Sequence, residues 1–137
     1  MADFVLDCSV AVSWCFEDEQ DDYSLGVLEF LSKQVAVVPS LWYYEVCNVL
    51  LNAQKQKRAS QAVVSNFLNS LNQLPIEVIS SANSSMQDLI LISARYDLTV
   101  YDGSYLDLAL KLGVPIATLD KKLIAAVQKS GGKLLKL

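Results

Sequence analysis

Four carboxylates fall where segments of this chain end or turn. Asp7 follows Phe4-Val5-Leu6, Glu45 lies within Trp42-Tyr43-Tyr44-Glu45-Val46, Asp102 stands in Tyr101-Asp102-Gly103, and Asp120 follows Ile116-Ala117-Thr118-Leu119. Clustered oxygen donors in an α/β fold hold Mg2+ or Mn2+ for phosphate chemistry, in which an activated water attacks a phosphodiester and the cation offsets charge on the phosphoryl oxygens. The chain has no histidine. That removes Ser-His-Asp hydrolysis, Cys-His proteolysis, His-liganded zinc and histidine-based ribonuclease mechanisms. Cys8, Cys15 and Cys47 form no C-x-x-C pair. They read as buried thiols in a reducing cytoplasm, and hard oxygen ligands favour Mg2+ or Mn2+ over zinc.

Each carboxylate also has a plain structural role to be weighed. Asp7, Asp102 and Asp120 each precede an expected helix, beginning near Ser9, Gly103 and Lys121, where a cap is worth about 1 kcal/mol. Parallel strands, however, bring their carboxyl ends to one edge, so Asp7 and Asp120 should converge in the crevice where α/β ligands bind. Two unpaired carboxylates about 4 Å apart repel by roughly 4 kcal/mol at an effective dielectric near 20, which a cation relieves. Glu45 lies a turn or more inside a helix, on a face shared with Leu41, Trp42, Asn48, Val49 and Asn52. Either Glu45, Asn48 and Asn52 form a solvated stripe, or they face the crevice with Glu45 as ligand and Asn48 supporting it or touching substrate.

The elements that must position these groups alternate. Strands are expected at 3–7, 35–38, 76–79 and 115–119, with 133–137 a further candidate. Helices are expected at about 9–16, 22–33, 41–57, 60–73, 82–96, 103–112 and 121–130. Pro39, Pro75 and Pro115 sit at strand margins, and Gly113 and Gly131-Gly132 act as helix stops. The alternation argues a largely parallel sheet flanked by helices. With 137 residues, 53% hydrophobic, and no repeat or linker, 1–137 is expected to be one domain. The start of the chain has no basic leader and no 18-residue apolar span follows, so a soluble, cytoplasmic protein away from membranes is the expectation.

Eleven Lys and Arg against fifteen Asp and Glu give a net charge of -4. A bulk electrostatic grip on nucleic acid is therefore disfavoured, and contact would fall to local patches. Lys55, Lys57 and Arg58 end the helix carrying Glu45, where they serve its dipole or touch phosphate. Lys121 and Lys122 follow Asp120 and lie closer to the proposed chemistry. Tyr43, Tyr44, Tyr101 and Tyr105 either stack on splayed bases or belong to a core or interface. Leu25, Leu28, Phe30, Leu31, Trp42, Tyr43 and Tyr44 exceed what a small domain easily buries, so they mark a homodimer face, a groove for a partner helix, or plain core.

The runs Leu6-Asp7-Cys8-Ser9-Val10, Glu45-Val46-Cys47-Asn48-Val49-Leu50, Tyr101-Asp102-Gly103-Ser104-Tyr105-Leu106-Asp107-Leu108-Ala109 and Ala117-Thr118-Leu119-Asp120-Lys121-Lys122-Leu123 occur in this order. Together they resemble a PIN domain, most closely a VapC-type toxin nuclease, over the whole chain. The resemblance implies a three-layer α/β/α fold with a central, mainly parallel sheet. It implies that Asp7, Glu45, Asp102 and Asp120 bind one or two Mg2+ or Mn2+ ions, with Ser9 and Thr118 as the small hydroxyls beside the first and last aspartates. It further implies an endoribonuclease leaving 5′-phosphate and 3′-hydroxyl ends, a homodimer, and a cognate antitoxin that covers the acidic site. Two positions depart from the pattern: Gly103 stands where alanine is frequent, and Asp107 where a small apolar residue is common. Asp107 either adds charge to the site or faces solvent, and solvent is the expectation. A haloacid-dehalogenase-like phosphatase would want a second aspartate where Ser9 stands. A catalytically silent PIN-like module that binds RNA or protein is the alternative. The net acidity points to selectivity for a structured RNA such as a tRNA or ribosomal loop.

Overall fold

Uninterrupted apolar runs are what a parallel strand covered on both faces requires, and Phe4-Val5-Leu6 and Ala36-Val37-Val38-Pro39 are buried along their whole length. In a computed structural model that describes residues 2–80 and 84–137, these runs form β1 (Phe4–Leu6) and β2 (Ala36–Pro39), joined by β3 (Ile76–Ile79) and β4 (Ile116–Ala117). The sheet order is β3-β2-β1-β4 and every pairing is parallel. Pro39 closes β2, where the missing N–H is tolerated. At the β3 edge Glu77 and Val78 turn outward.

Among the described residues seven α-helices flank the sheet: α1 (Cys8–Ser13), α2 (Asp22–Phe30), α3 (Leu41–Lys55), α4 (Gln61–Leu71), α5 (Met86–Arg95), α6 (Val100–Leu112) and α7 (Lys121–Lys129). α6 lies against β1, β2 and β4 and packs on α5 and α7, while α1 packs on α2 and α3. This is the three-layer α/β/α arrangement with a central parallel sheet. The β1 residues, with Val10, Val37, Tyr105, Leu106 and Leu123, form its buried centre. No helix among the described residues is long and apolar enough to cross a membrane.

Several boundaries differ from expectation for local reasons. β1 is shorter than 3–7 because the Asp3 carboxylate accepts from the Val35 N–H while Asp7 moves to the head of α1. β2 runs one residue later than expected, and β4 stops at Ala117 because Thr118 turns its hydroxyl to Asp7. The 133–137 segment adds only an isolated bridge, Ile116 to Leu134, rather than a strand. α1 ends at Ser13, short of 16, and a 3-10 turn at Glu17–Glu19 follows. α2 closes at Phe30 rather than 33, and α3 at Lys55 rather than 57, because Lys57 takes a left-handed φ of 59° and the Arg58 and Ala59 N–H groups bond back to Ala53. α4 and α7 fit just inside their expected spans. α5 begins at Met86 behind its Ser85 cap; 82 and 83 of the span expected there lie outside the described residues. α6 begins three residues earlier than expected, capped by Thr99.

The apolar surplus is also redistributed. Leu31 and Trp42 are core, Leu28 and Phe30 are partly buried, and Leu25, Tyr43 and Tyr44 remain exposed. The aliphatic surface lies instead on α5, through Met86, Ile90 and Leu91. A helix spaced this way reads as amphipathic from sequence, and only the packed fold shows which residues it leaves outside.

Candidate active site

The carboxyl ends of β1 and β4 lie side by side, and the Asp7 N–H donates to the Ala117 carbonyl at 3.0 Å. That register sets Asp7 beside Thr118. The Thr118 hydroxyl donates to Asp7 Oδ2 at 2.7 Å and the Ser9 hydroxyl donates to the same oxygen at 2.6 Å. Ser9 Oγ in turn accepts from the Leu119 N–H, and Thr118 Oγ1 accepts from the Asp120 N–H, each at 3.0 Å. Two hydroxyls thus sew the end of β1 to the β4–α7 turn. Asp7 occupies the N-cap position of α1 but makes no capping hydrogen bond, so the cap alone does not account for its side chain. It is only 5% exposed. Burial raises its pKa, the Ser9 and Thr118 hydroxyls oppose the rise, and the charge of Asp120 adds to it.

Glu45 enters from the second turn of a different helix, α3, as a half-buried side chain. Its Oε1 accepts from the Tyr105 hydroxyl at 2.5 Å. Desolvation raises the Glu45 pKa, the Tyr105 bond works against it, and Asp7 and Asp102 raise it further. Tyr105 is fully buried, so it is a core residue that holds Glu45 and not a surface for bases. This role was missed in the sequence, although Tyr105 lies three residues beyond Asp102 on the same helix and hence near its face.

Asp102 was expected just before a helix. It lies instead inside the first turn of α6, where the Thr99 hydroxyl caps its N–H at 3.2 Å. Burial together with the neighbouring Asp120 carboxyl and the charge of Asp7 pushes its pKa up to about 6, with Lys122 acting to lower it. Asp120 does cap, accepting from the Lys122 N–H at 3.0 Å. One carboxyl oxygen is therefore committed to α7 while the group still faces Asp102. Asp7, Glu45, Asp102 and Asp120, drawn from four separate elements, thus share one electrostatic neighbourhood.

Among the described residues no three acidic or thiol side chains stand close enough to enclose an ion by themselves. Like charges repel, which favours an open arrangement, and Mg2+ keeps part of its water shell and needs only a few carboxylate oxygens. The donor set therefore fits a hard divalent cation: it is all oxygen, its burial and mutual repulsion resist ionisation, and a cation would reverse that resistance. Cys8, next to Asp7, is buried with its thiol pKa raised first by desolvation and then by Glu45 and Asp7, so it stays protonated.

Other sequence candidates take different places. Asn48 is exposed and shares an open depression on α3 with Glu45. Lys121 is exposed at the start of α7, and Lys122 beside it is the cation whose charge reaches Asp102. Arg58 is engaged elsewhere, pairing with Asp18 at 3.0 Å and with Glu19 and lying over the Phe16 ring. Asp107 does not face solvent as expected. It is 7% exposed and pairs with Lys111 Nζ at 3.1 Å and with the Ser84 hydroxyl. Gly103 also has a reason in packing, because a Cβ there would fall 2.0 Å from Ser93 Oγ on α5. The α5–α6 packing is thus tight one residue from Asp102.

Comparison with known proteins agrees with the fold. The family model of the PIN domain matches residues 4–129. Among solved structures, PAE2754 from Pyrobaculum aerophilum superposes with a TM-score of 0.71 at 20% identity, over 91% of this chain and 79% of that one. VapBC2 from Rickettsia felis, bound to a DNA fragment from its promoter, gives 0.67 at 12% identity, over 97% and 96%. A toxin-antitoxin complex from Klebsiella pneumoniae gives 0.63 at 14% identity, over 91% of each chain. No curated protein sequence matches.

Proposed function

The chain belongs to the PIN domain family, and from that premise we propose that it is a metal-dependent endoribonuclease, the toxin of a type II toxin-antitoxin pair acting in the cytoplasm. The observation that carries this reading is the gathering of Asp7, Glu45, Asp102 and Asp120 at one sheet edge, with raised pKa values in three of them and one nearby lysine. A structural ion-pair network would be balanced within the chain, whereas this cluster is complementary to a cation.

In this reading the four carboxylates hold one or two Mg2+ or Mn2+ ions. Bound there, the metal acidifies water and offsets negative charge on a phosphodiester. Ser9 and Thr118 fix the Asp7 carboxylate through one of its oxygens, and Tyr105 does the same for Glu45. Lys122, whose charge reaches Asp102, and Lys121 beside it at the exposed start of α7 are suited to phosphate contact, and Asn48 to contact with the nucleotide. Cleavage on the phosphorus–O3′ side leaves 5′-phosphate and 3′-hydroxyl ends. The toxin-antitoxin neighbours support a cognate antitoxin as partner. The aliphatic face of α5 is suited to a homodimer contact.

Incubation of the purified chain with total cellular RNA in Mn2+ or Mg2+, with and without EDTA, beside an Asp102→Asn variant purified in parallel, tests the reading. Discrete fragments that vanish with chelator and in the variant are expected. Equal behaviour of wild type and variant would replace the nuclease with the silent RNA- or protein-binding module.

A further inference from the structure

Beside the carboxylates lies an open depression of about 480 Å3 on the outer face of α3, lined by Tyr44, Glu45, Cys47, Asn48 and Leu51. Glu45 belongs both to this depression and to the acidic crevice, so whatever fills the depression lies next to the group being cleaved. Tyr44 is 74% exposed, and Tyr43 braces it in a T-shaped contact with ring centroids 5.8 Å apart. Asn48 stands one helical turn beyond Tyr44 and offers both a donor and an acceptor.

An exposed aromatic ring, an amide and an aliphatic wall at helical spacing match the flat π-face and polar edge of a nucleobase. The exposed surface of α5 is different: Met86, Ile90 and Leu91 are aliphatic and offer no ring to stack on. Charge cannot supply much of the grip on a polyanion for a chain of net charge -4. Stacking is independent of that charge, and a base already paired and stacked in a duplex presents neither its face nor its Watson–Crick edge.

We propose that the Tyr44–Asn48 depression is a nucleobase pocket, taking one unpaired base of a single-stranded RNA segment, stacked on Tyr44 and read at its edge by the Asn48 amide. The position of the scissile phosphate beside it rests on the nuclease reading; the pocket itself does not.

The test uses the full chain carrying Asp102→Asn, in EDTA, so that binding is read without cleavage. A fluorescein-labelled RNA of mixed sequence, single-stranded or annealed to its complement, is titrated and followed by anisotropy. The single strand is expected to bind more tightly than the duplex. Tyr44→Ala should weaken single-strand binding roughly 5- to 150-fold, the range for loss of one stacked base, whereas Tyr44→Phe should stay within about twofold because stacking needs the ring and not the hydroxyl. Cys47, exposed within the pocket, supplies a second readout: its alkylation, located by peptide mass, should be slowed by the single strand and not by the duplex. Unchanged single-strand binding in a folded Tyr44→Ala chain would overturn the pocket. So would protection of Cys47 by self-association alone, which would make this face a contact between copies. Cleavage that proceeds at the normal rate and affinity without Tyr44 refutes the pocket and leaves the nuclease standing; Tyr44-dependent binding by a wild-type chain that cleaves nothing does the reverse.

Discussion

Two aspartates on α6 stand in opposite electrostatic circumstances. Asp107 is buried and answered within the chain: Lys111 one turn on closes to 3.1 Å, and the Ser84 hydroxyl donates to the same oxygen. Asp102, five residues earlier, faces the carboxyl of Asp120 and the charges of Asp7 and Glu45, with Lys122 as its only counterweight. The same side chain on the same helix is thus a structural member at one position and a frustrated group at the other. A charge that the fold leaves facing its like is the pattern expected of a ligand-binding position, and the cation proposed above would supply the partner that Lys111 supplies to Asp107.

The widest separation of the two sites should appear in activity. Asp7→Asn is expected to lower RNA cleavage by at least about 100-fold, the scale for loss of a preorganised electrostatic group, while Asp107→Asn keeps the cleavage rate within about threefold. Comparable losses in both would erase the distinction. In urea unfolding the order should reverse, with Asp107→Asn costing about 1–2 kcal/mol because Lys111 and Ser84 lose a charged acceptor.

Tyr105→Phe sharpens the comparison by touching the site through support alone. The Tyr105 hydroxyl holds the charged form of Glu45, so removing it should raise the Glu45 pKa further and weaken Mn2+ binding about 10- to 100-fold, as loss of groups that orient metal ligands does. Electron paramagnetic resonance of free Mn2+ reads this directly. Unaltered Mn2+ affinity would reduce the Tyr105–Glu45 bond to packing.

The smallest effect concerns the metal-free protein and pH. Asp102 is raised from 3.8 to about 6 by burial first and by Asp120 and Asp7 next. Its folded form therefore binds a proton more tightly than its unfolded form. The stability it contributes is fully present below about pH 4 and is lost as pH rises through 6. Asp102→Asn should flatten that decline and raise the Tm of the metal-free chain by roughly 2–5 °C at neutral pH. A lower Tm in the variant, with EDTA present, would show that Asp102 is compensated after all.

The apolar strand runs, with Asp7 and Asp120 just beyond them, were legible because each is local: a continuous hydrophobic segment, then an acid where it ends. The start of α6 was also written in the sequence, as Thr99 three residues before Asp102, a cap spacing that Gly103 obscured. Other features depend on distance along the chain. Tyr105 meets Glu45 across 60 residues and Asp107 meets Ser84 across 23, and no periodicity announces either. The Asp107–Lys111 pairing sits at i,i+4 and was open to inspection, but an i,i+4 pair is equally common on a solvated face. The short β4 and the exposed α5 side chains were set by tertiary packing, which local propensity does not encode.

The hydroxyl bridge from Thr118 to Asp7 spans 111 residues, and that span orders events in time. A ribosome adding about 5–20 residues per second delivers Asp7 and Glu45 well before Thr118 and Asp120, and Asp102 shortly before them. Until β4 docks beside β1, Asp7 has lost one of its two hydroxyl donors and Asp102 its carboxyl neighbour. The carboxylate site is therefore incomplete on a nascent chain, and closes only when the segment carrying Thr118 and Asp120 has emerged and docked.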